Sequence, residues 1–286
     1  MEYYLDDVDQ LDARQFVLTI KRLADSFSYG TDRSPFVGTG IEYAQSRPYQ
    51  PGDPVKSIDW RVTARTKRFF IKEYESPKRL PVYLLVDTSA SMTVSSIKRS
   101  KFATAVHIAG GLALACLDRV SPVAMIGIGE RKLRYMPSLS RDRVLQWLHQ
   151  LRRFRVDERT ELDRRLSEIR ALLPEKALLI VLSDLHEQAA IDNLKQIAQH
   201  HDCVALQFRD PIERGLRGVG WFRGQEAETG RQFVSGGRSL NIDQDRLNGE
   251  LRRARVDHLV IDTDLPFIDR LRHFLKSRGV LSRGTR

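Results

Sequence analysis

From residue 81 onward, short apolar runs alternate with longer amphipathic stretches. VYLLV (82–86), VAMIGIG (123–129), ALLIVLS (177–183), DCVALQF (202–208) and DHLVID (257–262) are brief and dense in Val, Ile and Leu. Runs of that length and content predict strands buried on both faces. KLRYM (132–136) follows the second run closely enough to pair back on it. Helical periodicity falls between these runs, over 97–118, 141–151, 161–173, 187–200, 243–255 and 265–277. In the first helix Phe102, Ala105, Val106, Ala109, Leu112 and Cys116 share an inner face, and Ser95 or Ser96 is the expected cap. The alternation predicts an α/β fold with a mainly parallel, Rossmann-like sheet covered by helices on both faces.

Two regions break the pattern. Residues 1–79 read as an N-terminal unit separate from an α/β domain at 80–286. Leu11, Phe16, Ile20, Leu23 and Phe27 make a helical stripe over 10–28. Residues 29–54 are rich in Gly, Pro and Ser and predict loop and turn. Residues 57–75, with many β-branched and aromatic side chains, predict one or two strands in a small β-rich extension. Inside the α/β domain, 211–239 carries GVGWFRG and GRQFVSG around ETG, the pattern of an inserted β-hairpin. We expect that hairpin either to join the strands of 57–75 or to form a long loop.

Composition narrows the function classes. The formal charge of +10 suits nucleic acid or an acidic protein. The basic residues are interleaved with acids, as in RRFRVDERTELDRRL (152–166), and no nucleic-acid motif accompanies them. An acidic protein surface is therefore the expected partner, and nucleic acid is not. Cys116 and Cys203 lie far apart without ligand spacing, which predicts reduced thiols. The start, MEYYLDDVDQ, lacks the apolar core of a secretory signal, and no apolar run approaches spanning length. These features predict a cytoplasmic protein without a transmembrane segment.

The candidate chemistry lies where strands end. VYLLV runs into Asp87, followed by Ser89 and Ser91. Ligands of open parallel sheets bind beyond the carboxyl ends of the strands. In an extended loop alternate side chains point the same way, so these three can converge. ALLIVLS ends in a second acid, Asp184, which meets Asp87 if the two strands are neighbours. Thr160, in the loop DERTEL, adds a further hydroxyl. Carboxylates and hydroxyls are hard oxygen ligands, suited to Mg²⁺ or Mn²⁺.

Together these residues resemble the metal-ion-dependent adhesion site of von Willebrand factor A domains, a D-x-S-x-S motif joined by a distant Thr and a distant Asp. Here those positions are Asp87, Ser89, Ser91, Thr160 and Asp184. Residues 47–75 (RPYQPGDPVKSIDWRVTARTKRFFIKEYE) are similar to the N-terminal signature of the bacterial domain-of-unknown-function family 58, in R-x-Y-x-P-G-D, I-D-W, A-R and I-K-E. DRVSPVAMIGIG and IDTDLPFIDRLRHFLKSRG resemble later parts of the same family. One departure is Glu158 and Arg159, where related sequences often carry glycines. The resemblance implies a von Willebrand factor A-like domain that binds Mg²⁺ (or Mn²⁺ or Ca²⁺) and uses it to take an Asp or Glu from a protein partner. It also implies association with a MoxR-type AAA+ ATPase, as an adaptor in chaperone-like assembly or maturation of protein complexes.

The rival reading is a metal-dependent phosphohydrolase with Asp87 as nucleophile. Such enzymes want an acid two positions later, and Ser89 stands there. No G-x-x-x-x-G-K-[ST] loop is present, so the chain is not itself a P-loop ATPase and any ATP chemistry belongs to a partner; the binding module that the resemblance implies, and not an enzyme, is the expectation. His200, His201 and Asp202 read as a solvated helix end, and Asp262 and Asp264 as strand-end and capping residues. Trp60 is expected to pack the N-terminal unit onto the core, with Asp59 paired to Arg61 or Arg65.

Overall fold

The computed structural model describes residues 2–4, 21–25, 42–53, 55–75, 80–118, 120–131, 133–155, 158–159, 161–173, 176–215, 221–225, 232–236 and 243–277. Its strands are β1 (Glu2–Tyr4), β2 (Glu42–Pro48), β3 (Phe70–Glu75), β4 (Val82–Val86), β5 (Val123–Gly127), β6 (Arg134–Ser138), β7 (Arg153–Arg155), β8 (Leu178–Ser183), β9 (Asp202–Arg209), β10 (Trp221–Gln225), β11 (Gln232–Gly236) and β12 (Val256–Asp262). Among the described residues the main sheet has six strands in the order β12-β9-β8-β4-β5-β6. All its pairings are parallel except β5 with β6, which is antiparallel as KLRYM suggested.

The two faces of this sheet explain where a site can form. Val82, Leu84 and Val86 of β4 pack with the helix Lys101–Asp118 in one buried cluster. Tyr83 and Leu85 point the other way, into a cluster with Leu162, Leu166, Ile191 and Leu194. The helix Gln188–Ile197, which follows β8, therefore covers the face opposite to the helix that follows β4. Chain leaving two adjacent parallel strands in opposite directions opens a crevice beyond their carboxyl ends. Here that position is at the ends of β4 and β8, which are hydrogen-bonded neighbours.

Lys101–Asp118 has the length and apolar content to cross a bilayer, but 89% of it is buried inside the fold. It is the central helix of the larger core, with Phe102, Val106, Ala109, Ala113 and Leu114 essentially inaccessible. Its first turn is capped by Ser100, whose hydroxyl accepts from Ala103 N at 3.0 Å. The expected caps Ser95 and Ser96 instead bond to Asp210 after β9, Ser95 Oγ at 3.1 Å and Ser96 N at 2.9 Å. Asp210 thus holds the segment between the end of the short helix Ala90–Thr93 and the long helix.

The N-terminal signature departs furthest from expectation. Only 21–25 of the predicted first helix is described, and there Leu23 and Ala24 join the larger core cluster. Glu42–Pro48, read as loop, is strand β2, antiparallel to β3. Trp60–Thr66, read as strand, is α-helix. The capping chemistry decides it. Asp59 accepts hydrogen bonds from Arg61 N (3.1 Å) and Val62 N (3.2 Å), satisfying amides that a helix start leaves open. Ser46 Oγ also donates to Asp59 at 2.7 Å, tying β2 to that cap. Asp59 is therefore a helix cap and not the ion-pair partner of Arg61 or Arg65.

Arg47 grips Asp53 through both guanidinium nitrogens, each at 2.7 Å, and closes the turn at Gly52, whose φ of +108° favours glycine. Trp60 does not pack inward: it is 63% exposed, at the start of its helix. The hairpin β10–β11 forms as predicted, but among the described residues it pairs only with itself, not with β3. β1 pairs with β7 in a further two-stranded ribbon.

Candidate metal centre

Asp87 follows β4 directly and Asp184 follows β8 directly. Asp87 N donates to Leu182 O at 2.9 Å, so the parallel ladder continues up to the acid itself. Register pairs Val86 with Leu182, which sets the two carboxylates over the same edge of the sheet. Ser183 Oγ donates to Asp87 Oδ2 at 2.6 Å, and Ser89 N donates to Oδ1 at 3.0 Å. Ser89 Oγ and Ser91 Oγ are 3.0 Å apart, and Ser91 is close enough to Asp184 to help hold its carboxyl down. Four of the five predicted residues, Asp87, Ser89, Ser91 and Asp184, are thus brought together. Thr160 lies outside the described residues.

The loop before Thr160 is anchored to the site. Ala90 N donates to Glu158 O at 2.7 Å. The Glu158 side chain, fully buried, accepts from Thr88 Oγ1 at 2.8 Å and from Arg131 Nε at 2.6 Å. Where glycines were expected from the resemblance, an acid buttresses the Asp87 loop from behind. The turn after β8 is equally constrained. Leu185 adopts a φ of +56°, uncommon for a non-glycine residue, while its amide bonds to Ser183 Oγ at 3.0 Å.

The electrostatics of the two acids differ. Burial, then the charge of Asp184, pushes the Asp87 carboxyl up to about 7, against the hydrogen bonds from Ser183 and Ser89. Burial acts on Asp184 in the same direction, but the Lys101 ammonium, and after it His186, hold Asp184 below the ordinary carboxylate range. Lys101 Nζ is 2.9 Å from Asp184 Oδ2 and 2.6 Å from Glu213 Oε1. Burial alone would lower the Lys101 pKa, but Asp184 and Glu213 raise it above its usual value. Nothing in the spacing of the sequence marks this lysine, the first residue of the long core helix.

The donor set is therefore all oxygen: two carboxylates and two hydroxyls, with Ser91 half-buried at the rim and the others buried. Among the described residues no three His, Cys, Asp or Glu side chains cluster as metal ligands. A site built here relies on hydroxyls beside its two acids, which suits a hard cation such as Mg²⁺. The raised Asp87 carboxyl fits that assignment, because a buried acid lacking a countercharge is one that a cation would stabilise in its ionised form. The other candidates do not form sites. His200 and His201 sit at the turn after the helix Gln188–Ile197, and Asp262 is ion-paired with Arg209 at 2.8 Å.

The sequence model for "Protein of unknown function DUF58" matches residues 45–258. The chain belongs to the DUF58 family. An uncharacterized protein of Mycobacterium bovis, Mb1516, is 28% identical over 250 residues, covering 86% of this chain and 77% of its own. The uncharacterized protein Rv1480 of Mycobacterium tuberculosis matches to the same extent. The uncharacterized protein YeaD of Bacillus subtilis is 28% identical over 96 residues, which is 32% of this chain and 24% of YeaD. The DUF58 match spans the whole candidate centre, from the β2 clamp at Arg47 through Asp87, Lys101, Glu158, Asp184 and Glu213.

Proposed function

We propose that this DUF58 protein is a metal-dependent protein-binding module of the von Willebrand factor A type. The observation that carries the reading is the convergence of Asp87, Ser89, Ser91 and Asp184 beyond two adjacent parallel strands, at the switch in helix direction. Asp87 and Asp184 would hold the ion, and Ser89 and Ser91 would complete its protein ligands, with Thr160 as the remaining expected member. Mg²⁺ is the preferred ion, with Mn²⁺ or Ca²⁺ as substitutes. A bound divalent ion supplies an electrophilic position open to an oxygen ligand from outside. Two protein carboxylates leave such a position available, and an incoming Asp or Glu would gain a charge-assisted contact there. Mg²⁺ sheds water reluctantly, so the contact is modest and reversible.

The partner class follows from the same chemistry: a protein surface presenting a carboxylate. Association with a MoxR-type AAA+ ATPase, in chaperone-like assembly or maturation, is the partner that the family resemblance implies. The chain itself acts as an adaptor and not as an enzyme, since the position two residues after Asp87 is Ser89, which supplies no general acid near neutral pH. Titration calorimetry with MgCl₂ on the native chain, Asp87→Ala and Asp184→Ala tests the proposal. We expect binding to the native chain and none to either variant. Unchanged affinity in Asp87→Ala would overturn it.

A further inference from the structure

Lys101 is a buried cation at a place that the proposed function reserves for another one. Its side chain is 3% exposed, and its ammonium bridges Asp184 at 2.9 Å and Glu213 at 2.6 Å. Asp184 is as buried as Lys101, whereas Glu213, in the short helix Pro211–Gly215, is a quarter exposed. The ammonium is thus flanked by a ligand of the candidate centre on one side and an acid nearer solvent on the other. A structural salt bridge needs no such arrangement at a ligand, because the ion it would compete with carries the same sign of charge.

We infer that Lys101 sets the charge of the loaded centre, opposing entry of the divalent ion and keeping the bound ion receptive to a carboxylate from outside. The inference rests on the metal-binding reading above. The charge count gives the reason. With Asp87, Asp184 and Glu213 ionised, three negative charges face one ammonium and a divalent cation, and the loaded centre is neutral. Without Lys101 the same centre carries one net negative charge. It would hold the divalent ion more tightly, having lost a like charge nearby, and would repel an incoming Asp or Glu. In a buried site such interactions are weakly screened, so a single charge shifts both equilibria. Lys101 therefore trades ion affinity for partner affinity, and Glu213 tempers it by drawing the ammonium toward the rim.

Two variants move the balance in opposite directions. Lys101→Met keeps an unbranched apolar stem and removes the charge. Glu213→Gln removes an acid from a partly exposed position and leaves the buried pair intact. Mg²⁺ and Mn²⁺ affinities are measured by calorimetry. Acetate is then titrated against each Mn²⁺-saturated protein, and displacement of ion-bound water is followed by proton relaxation. We expect Lys101→Met to bind Mg²⁺ at least tenfold more tightly than the native chain and to take acetate several-fold more weakly. Glu213→Gln should bind Mg²⁺ more weakly and acetate more tightly. Both affinities falling together in Lys101→Met, with Glu213→Gln unchanged, would reduce Lys101 to a structural ion pair and overturn the inference while leaving the metal reading intact. Failure of Mg²⁺ and Mn²⁺ to bind the native chain and both variants would instead overturn the metal reading itself.

Discussion

Thr88 and Glu158 meet in a 2.8 Å hydrogen bond although they stand 70 positions apart in the chain. The bond joins the residue next to Asp87 to a carboxylate that is also ion-paired with Arg131 at 2.6 Å. The loop carrying the first acid of the candidate centre is therefore held by a buried charge, not by backbone ladder alone. Glu158→Ala leaves the Arg131 guanidinium, Thr88 and the amide of Arg131 without this acceptor. We expect a loss of about 3 kcal/mol in urea denaturation, because breaking one side of a buried pair costs more than the pair contributes. Glu158→Gln, which keeps one acceptor oxygen, should lose less.

Gly129 gives a second handle on the same contact. A Cβ placed there would collide with Glu158 Oε1 and Thr88 Oγ1. Those atoms cannot yield without breaking their hydrogen bond. Gly129→Ala should destabilise the fold by about 1–3 kcal/mol, the usual cost of overpacking. It should also weaken Mg²⁺ binding, since Thr88 adjoins Asp87. Thermal melts and calorimetry check the two effects.

The pH behaviour of Asp87 is a further test. Its carboxyl titrates near 3.8 in the unfolded chain and near 7 in the fold. Between those values the folded state binds the extra proton, so the metal-free protein loses stability as pH rises through that window. Asp87→Asn has no such titration. Relative to it, the native chain should lose on the order of a few kcal/mol from about pH 4 to 7, with little further change above. Mg²⁺ must displace the same proton, so its affinity should rise with pH up to about 7 and then level off. Added Mg²⁺ should raise the melting temperature of the native chain and leave that of Asp87→Ala unchanged.

Trp60→Ala should change stability by no more than about 0.5 kcal/mol, because the ring is 63% exposed and its loss leaves no cavity. Asp59→Ala should cost more, about 1 kcal/mol, since it removes the cap of the helix Trp60–Thr66 and the acceptor for Ser46. Denaturant titration of the two variants side by side tests that ordering.

The α/β core was readable because its parallel strands are apolar runs too short for anything else, separated by stretches of helical periodicity, while the edge strand β6 was legible only from its closeness to β5. Asp87 and Asp184 stood out for the same reason: an acid closing such a run is conspicuous. Their meeting depended on β4 and β8 being neighbours, which the sequence could only suggest. The N-terminal signature was harder to read. SIDWRVTAR carries the residue types of a strand, and Asp59 before Trp60 fits a helix cap as well as it fits an ion pair with Arg61 or Arg65. Glu42–Pro48 has no apolar alternation and becomes a strand only through its pairing with β3. Lys101 was invisible because no spacing rule marks it. Its significance comes from burial against Asp184, 83 positions later, and Glu213, 112 positions later.

Those separations carry a kinetic consequence. Asp87 finds Ser183 across 96 residues, and the segment at Ser96 finds Asp210 across 114. Loops of that length must close before any of these contacts forms, so the centre belongs to the slow, late part of assembly. During synthesis from the N-terminus, a chain that has emerged only as far as β6 already displays the D-x-S-x-S loop, yet it has neither the second acid nor the lysine's two partners. Competence to hold an ion would then appear only as β8 and β9 insert beside β4, in effect signalling that the sheet is complete.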